Sequence, residues 1–152
     1  MAEKTQFSAE TVKRALDSLT EVENFNQKNN KIGKAYRTRA RSIPSSVYEN
    51  GLLSTLSFLY AKATKEIYEK ILQGDPSKLA DDSHEKVAYA LYLKHLLKHL
   101  CNSDDRKKYV ENPREFMKFL AENPHELMVV QSLLKPFLIE LKHLAEAVLE
   151  AE

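Results

Sequence analysis

Hydrophobic residues recur along most of the chain at three-, four- and seven-residue intervals, the spacing that places them on one face of an α-helix. From Ser8, a candidate N-cap, to Arg41 this spacing predicts one long helix, whose weakest point is the polar stretch at 26–30. Pro44 then predicts a break, because proline has no N–H to donate and disfavours helical backbone at the residue before it. We therefore expect the first helix to end shortly before Pro44.

A second hydrophobic stripe predicts one further helix, which ends at the turn-forming residues 74–76. The stripe consists of Leu52, Leu56, Leu59, Tyr60, Ala63, Ile67 and Ile71. Asp82, with Glu85 three residues later, resembles a capping box. This pair predicts that a third helix begins near Asp82.

Two Asn-Pro pairs predict the remaining helix starts. Asn112-Pro113 and Asn123-Pro124 each place a cap residue before a proline, which is well accommodated in the first helical turn. Pro136 lies inside the last hydrophobic stripe, where we expect it to bend the helix rather than end it.

Composition limits the fold to one class. The chain has 152 residues, 43% of them hydrophobic and 30% charged, which is the size of one ordinary domain. It contains only three glycines, so it lacks the turn residues that a many-stranded sheet requires. The sequence therefore predicts an all-α protein, a compact bundle of five or six helices that forms a single domain over residues 1–152.

The sequence also predicts where the protein works. Its single cysteine, Cys101, cannot form an internal disulfide and has no neighbouring Cys or His at the spacing of a zinc knuckle. The N-terminus lacks the hydrophobic core of a signal peptide, and no window approaches eighteen uninterrupted apolar residues. We expect a cytoplasmic protein with no membrane partner.

Charge is distributed unevenly, although the net charge is only +1. Between Glu23 and Glu49 there are six cations and no carboxylate: Lys28, Lys31, Lys34, Arg37, Arg39 and Arg41. On a helix, four of them share roughly one third of the circumference: Lys31, Lys34, Arg37 and Arg41. Such a one-signed face favours a polyanion, most commonly a phosphate backbone.

The candidate nucleic-acid-binding residues are therefore Lys31, Lys34, Arg37, Arg39 and Arg41. No acid lies three or four residues from them to pair with them along the helix, and arginine suits bidentate phosphate contacts. The alternative is a solvated face that pairs with carboxylates of neighbouring helices. Tyr36, on the opposite side of this helix, is expected to pack in the core rather than stack on a base.

Catalytic chemistry has little support in the sequence. His95 and His99 have the i, i+4 spacing of two metal ligands on one helix, but the leucines around them indicate core packing. The chain has no phosphate-binding glycine loop and no nucleophile elbow. We expect no catalytic residue, no metal and no cofactor; the enzyme alternative is a metal hydrolase around these two histidines.

One stretch of about 28 residues, from Ala35 to Lys62, matches a known pattern. It consists of YRTRARSIP at 36–44, NGLLSTLSFL at 50–59, and Ala61-Lys62. It resembles the small subunit of the Cmr-type (type III-B) CRISPR effector, an RNA-guided complex that destroys foreign RNA. Outside this stretch the similarity is one of size and helical content.

The resemblance implies a non-catalytic all-α subunit that stacks with copies of itself along the guide-RNA filament, beside the other subunits of the complex. It also implies that a basic groove binds the target RNA, and that another subunit cleaves it. Arg37, Arg39 and Arg41 lie within the matched pattern, whereas Lys31 and Lys34 depend on the charge argument alone. The alternative function is a helical protein-interaction scaffold whose basic face docks an acidic protein.

Overall fold

The computed structural model describes the backbone of residues 2–79 and 82–152, and the side chains of these residues from residue 9 onward. Over these residues it contains eight α-helices: α1 (Ala2–Asn26), α2 (Lys31–Asn50), α3 (Leu52–Ala63), α4 (Lys65–Leu72), α5 (His84–Leu100), α6 (Lys108–Glu111), α7 (Pro113–Glu122) and α8 (Pro124–Val148). A short 3-10 turn, Pro76–Leu79, precedes α5. The all-α prediction is confirmed, but the expected number of five or six helices was too low.

The polar stretch after Asn26 separates α1 from α2, so the predicted single helix from Ser8 to Arg41 is wrong. The Asn26 side-chain oxygen accepts a hydrogen bond from the Gly33 N–H at 2.8 Å. A Cβ at Gly33 would lie 2.8 Å from that oxygen, so only glycine allows this approach. Ser8 is not an N-cap, because α1 already begins at Ala2.

Pro44 does not end a helix, contrary to the sequence prediction. Helix α2 continues through it to Asn50 and ends at Gly51, whose φ of 85° is a left-handed backbone that glycine adopts easily. Pro44 removes one backbone hydrogen bond, but the buried residues Ile43 and Val47 keep both sides of it packed on the core. Tertiary packing therefore outweighs the local cost of the proline.

Thr64 divides the second hydrophobic stripe into two helices, where the sequence predicted one. Its φ of 68° is unusual for a residue with a side chain. The Thr64 hydroxyl accepts a hydrogen bond from the Ile67 N–H at 3.3 Å and so caps α4. Apart from the partly buried Tyr60, the stripe is still buried on both sides of the break, from Leu52 to Ile71.

Two of the three predicted helix starts are confirmed, and the third is shifted by one residue. Helix α5 begins at His84 with Ser83 in the N-cap position, so Asp82 is not the cap; its carboxylate accepts a hydrogen bond from Lys70 Nζ at 3.2 Å. Helices α7 and α8 do begin at Pro113 and Pro124, as predicted.

The side chains of the two asparagines before these prolines do not cap the helices that follow them. Asn112 donates its side-chain N–H to the Lys108 carbonyl at 3.3 Å, and Asn123 donates to the Phe119 carbonyl at 2.8 Å. Both side chains thus bond back to the preceding helix rather than forward. Pro136 lies inside α8, as expected.

Helix α5 lies at the centre of the bundle, with every side chain from Val87 to Leu93 buried. It packs against α2, α3 and α4, while α8 packs against α1 and α2. Helix α2 therefore lies between α5 and α8, and part of its circumference faces solvent. In the described part of the chain, no helix is long and apolar enough to cross a membrane.

Candidate nucleic-acid interface

The first half of α2 carries all five candidate RNA-binding residues. Lys31 and Arg41 are exposed at the two ends of this segment, and Lys34, Arg37 and Arg39 between them are partly buried. The segment rises roughly 15 Å from Lys31 to Arg41. It is long enough to contact a few successive phosphates of one strand.

The C-terminal end of α8 lies beside the middle of this segment. Arg37 Nη1 donates a hydrogen bond to the Leu149 carbonyl oxygen at 3.2 Å. Lys34 Nζ lies 4.0 Å from a carboxylate oxygen of Glu150, a residue that is largely exposed. Cations are favourable at a helix C-terminus, where carbonyl groups lack partners. Arg37 and Lys34 thus have a structural role within the chain.

Lys31 and Arg41 differ from these two residues. Their side chains make no hydrogen bond or ion pair with residues 9–79 or 82–152. Both lie on the α2 side that also carries Lys34 and Arg37. We define these four residues as the basic face; its two end members are open to solvent and free to meet a ligand.

Arg39 lies apart from the basic face. It is two residues from both Arg37 and Arg41, which places it on the other flank of the helix. Its guanidinium carbon lies 4.9 Å from the centre of the Tyr89 ring, and Nη1 donates to the Tyr89 hydroxyl at 2.5 Å. The structure therefore brings four of the five candidates together and directs the fifth towards α5.

Tyr36 is fully buried, as the sequence predicted. Its hydroxyl lies 2.7 Å from His95 Nδ1, and His95 Nε2 lies 2.8 Å from a Glu21 carboxylate oxygen. An ionised carboxylate only accepts hydrogen bonds, so Nε2 carries the proton and donates to Glu21. Nδ1 then accepts a hydrogen bond from the tyrosine hydroxyl. This buried chain of hydrogen bonds joins α1, α2 and α5.

Charge favours that arrangement. Burial alone would raise the pKa of Glu21, but the hydrogen bonds from His95 and Lys94, together with the Lys94 charge, outweigh it and lower this pKa to about 2. Lys94 Nζ donates to the second carboxylate oxygen at 2.6 Å. Burial lowers the pKa of His95, against the opposing influence of Glu21, and so favours the neutral imidazole. No feature of the sequence pointed to Glu21 as the partner.

The two histidines of the metal alternative are engaged separately. The His99 ring stacks on Phe137 at 4.3 Å between ring centres, and Arg14 Nη1 lies 3.5 Å from His99 Nδ1. Burial, followed by the charge of Arg14, lowers the pKa of His99 to about 4. Within the described ranges 2–79 and 82–152, no group of three or more His, Cys, Asp or Glu residues is placed to hold a metal ion.

An apolar groove lies between the second half of α2 and the first half of α8, with a volume of about 390 Å³. Tyr48 on one wall is 87% exposed, and Met128 on the other is 73% exposed. Ile139 extends the second wall. We call this feature the α2/α8 groove. It is adjacent to the basic face, because Arg41 lies three residues before Pro44 and seven before Tyr48, on the same side of α2.

Comparison with known proteins gives consistent matches over most of the chain. Residues 10–148 match the family of the CRISPR-associated protein Cmr5. A relative in Saccharolobus solfataricus, named CRISPR system CMR subunit Cmr5, is 26% identical over 134 residues, which is 83% of this chain and 86% of the relative.

Two cryo-EM structures share the fold. One is a chain of the type III-B Cmr-beta complex bound to cognate target RNA and AMPPnP, with a TM-score of 0.76 and 20% identity over 95% of this chain and 99% of that one. The other is a chain of the type III-B Cmr-beta complex bound to non-cognate target RNA, with a TM-score of 0.74 and 21% identity over 93% and 97% of the two chains.

Proposed function

Because the chain belongs to the Cmr5 family, the small subunits of type III-B (Cmr) CRISPR complexes, we propose that it binds the target-RNA backbone through the basic face. In this role it is non-catalytic, and its partners are the other Cmr subunits, copies of itself and the target RNA, with the guide RNA nearby. The proposed setting is the cytoplasm.

One observation carries the RNA-binding proposal. Lys31 and Arg41 are exposed and have no acidic partner on their own helix, because the first carboxylate of α2 is Glu49. Exposed cations without local partners keep their full attraction for phosphate. Base pairing with the guide reads the sequence of the target, so the protein needs only to hold its backbone.

The expected affinity of one subunit is low. For single-stranded nucleic acid, each neutralised phosphate contributes about −0.7 to the slope of log K against log salt concentration. The basic face offers few such contacts, because Lys31 and Arg41 are unpaired but Lys34 and Arg37 already contact the end of α8. Several copies side by side on one strand would bind more tightly, since every further contact is intramolecular.

We propose that a second copy of the chain covers the α2/α8 groove in the stack. The support is the exposure of Tyr48 and Met128, large side chains that a soluble surface rarely presents together. The near-neutral net charge of +1 also permits identical copies to approach without strong repulsion. In the assembled complex, Met128→Glu should lower the number of copies per complex, whereas Lys118→Glu on α7 should not.

The RNA-binding proposal is tested by charge reversal of Lys31 and Arg41 in the guide-loaded complex. The double variant Lys31→Glu/Arg41→Glu should keep the subunit in the complex but weaken crosslinking to single-stranded target RNA. Arg37 is a poor choice for this test, because its replacement would also disturb the end of α8. The matched control is Arg114→Glu/Lys118→Glu, an exposed Arg and Lys on α7.

The same experiment separates the alternative function. A protein-interaction scaffold would lose its place in the complex when the basic face is reversed. Unchanged composition with fewer target crosslinks supports RNA binding. Unchanged composition with unchanged crosslinks contradicts it.

A further inference from the structure

A second cluster of cations and aromatic rings, exposed at Phe58 and Lys62, lies on the flank of α2 opposite the basic face. It joins Arg39 of α2, Phe58 and Lys62 of α3, and Tyr89 of α5; we call it the Phe58 cluster. The Phe58 and Tyr89 rings meet edge to face, with centres 5.8 Å apart and planes at 82°. Lys62 Nζ lies 5.7 Å from the Phe58 ring centre, and Arg39 lies over the Tyr89 ring.

The two rings of this cluster differ in their exposure. Tyr89 is only 8% exposed, whereas Phe58 is 43% exposed. The neighbours of Phe58 on the outer side of α3 are short, namely Ser54, Ser57 and Ala61, and all are exposed. The phenylalanine ring therefore projects beyond these short neighbours, with Lys62 beside it and Arg39 over the adjoining Tyr89 ring, and packing within the described chain leaves it 43% exposed.

We propose that Phe58 stacks on an unpaired base of a single-stranded RNA while Arg39 and Lys62 hold the adjoining phosphates. This inference rests on the proposed function, because it takes RNA as the ligand, and it adds a base-stacking site to the backbone contacts of the basic face. Stacking on an aromatic ring is tolerant of sequence, since every base has a π-face. Arginine and lysine beside the ring supply the charge that a phosphate needs.

Charge favours RNA over a protein partner at this position. A protein surface that covered Phe58 would also remove Arg39 and Lys62 from water, which costs free energy unless each meets a carboxylate. A base covers the ring and brings its own phosphates to the same two cations. Next to Tyr89 on α5, Lys86 and Glu85 are both exposed and cancel each other, so the cluster stays positive.

The Phe58 cluster also gives Arg39, which lies outside the basic face, a role in phosphate binding. Arg39 and Arg41 lie on opposite flanks of α2. A strand that reached both residues would have to cross the helix, so the two sites can be tested independently. Arg39 is held by the Tyr89 ring and hydroxyl, which fixes its guanidinium beside the stacking position.

The test uses target RNA carrying 5-iodouridine, which crosslinks efficiently to an aromatic ring stacked on it, bound to the guide-loaded complex. Phe58→Ala should abolish the crosslink to this subunit at its position and lower target affinity about 5- to 150-fold, the range for one stacked base. Phe58→Tyr retains the ring and should retain the crosslink. Leu16→Ala removes a similarly exposed hydrophobic side chain from α1, outside the proposed binding surfaces, and should change neither readout.

A further variant leaves the ring in place. Lys62→Gln should keep the crosslink but reduce the salt slope of binding by about 0.7. If Phe58→Ala and wild type crosslink equally while peptides from residues 31–41 are crosslinked, the stacking inference is wrong and the backbone proposal stands. If wild type gives no crosslink in this subunit, the stacking inference is wrong, and the backbone proposal is decided separately by the Lys31→Glu/Arg41→Glu variant. Loss of the Phe58→Ala subunit from the complex would identify the ring as a protein contact and overturn the inference.

Discussion

The side of α2 that faces α5 carries Tyr36, whose hydroxyl bonds to His95, and through it to Glu21. The opposite side carries Lys31 and Arg41, which are exposed and have no partner within the described residues. The Tyr36 hydroxyl on the inner side has a fixed partner from another helix. A partner for Lys31 and Arg41 on the outer side has to come from another molecule.

This difference separates structural polar residues from functional ones. A buried hydrogen bond contributes mainly because breaking it leaves a group without water or partner. An exposed cation contributes little to folding, so its presence in an acid-free stretch points to a ligand. Changes on the inner side should therefore affect stability, and changes on the outer side should affect RNA binding.

The largest expected effect comes from the inner side. Glu21→Ala leaves His95 and Lys94 without their shared acceptor, at sites where Lys94 is 12% exposed and His95 2%. We expect a loss of about 2–4 kcal/mol in the free energy of unfolding, measured by urea denaturation. Glu23→Ala removes an exposed carboxylate from the same helix and should cost less than about 0.5 kcal/mol. Equal losses in both variants would contradict the structural role of Glu21.

The next effect is a dependence of stability on pH. The pKa of His99 in the folded protein is about 4, below its ordinary value of 6.5, so the unfolded chain binds the proton more readily. Stability due to the neutral ring is present above pH 6.5 and is lost as pH falls towards 4. We expect a loss of up to about 2 kcal/mol across this range, allowing for partial solvent screening.

The variant that isolates His99 is His99→Gln. Its stability should fall less than that of wild type between pH 6.5 and 4, in urea denaturation at a series of pH values. The remaining fall above pH 4.5 is expected from His95, whose pKa is also lowered. Glu21 acts at lower pH, because its stabilisation disappears between pH 4.5 and about 2. Parallel curves for the variant and wild type would rule out a contribution of His99.

The outer side should respond in binding rather than in stability. Lys31→Glu/Arg41→Glu should lower the target-RNA affinity of the assembled complex. The expected loss near physiological salt is about tenfold for each subunit that contacts the RNA. The double variant should also reduce the salt slope by about 1.4, which corresponds to two lost phosphate contacts. The unfolding free energy should change by less than about 1 kcal/mol, because both residues are exposed. The control Arg114→Glu/Lys118→Glu should leave the slope unchanged.

The smallest expected effect concerns the ion pair between Lys34 and Glu150. Glu150 lies 4.0 Å from Lys34 and is 84% exposed, so this pair should stabilise the fold by less than about 1 kcal/mol. Glu150→Gln should free Lys34 and raise RNA affinity by about twofold or less. Filter binding at two salt concentrations measures this change in RNA affinity. A lower affinity in this variant would show that Glu150 supports the basic face rather than competing with its ligand.

Hydrophobic spacing predicted which faces of the helices are buried better than where the helices end. The stripe from Leu52 to Ile71 is buried as expected, yet Thr64 divides it and Pro44 does not divide α2. Both errors have one cause. Local preferences of threonine and proline are worth a few kcal/mol at most, and packing against α5 and α8 outweighs them.

The site was predictable in part for a similar reason. Helix geometry placed Lys31 and Arg41 on a common face and left Arg39 outside it. It could not show that Arg37 reaches Leu149 or that His95 reaches Glu21, because these pairs are 112 and 74 residues apart in sequence. Such contacts depend on how the helices pack, and residue spacing within one helix does not specify that packing.

The most direct test of the RNA-binding account is to map where target RNA crosslinks to this subunit. Target RNA substituted with 4-thiouridine would be irradiated in the assembled guide-loaded complex, and the crosslinked peptides identified by mass spectrometry. The account predicts peptides from the first half of α2, between Lys31 and Arg41. Crosslinks confined to other helices, or to other subunits only, would contradict it.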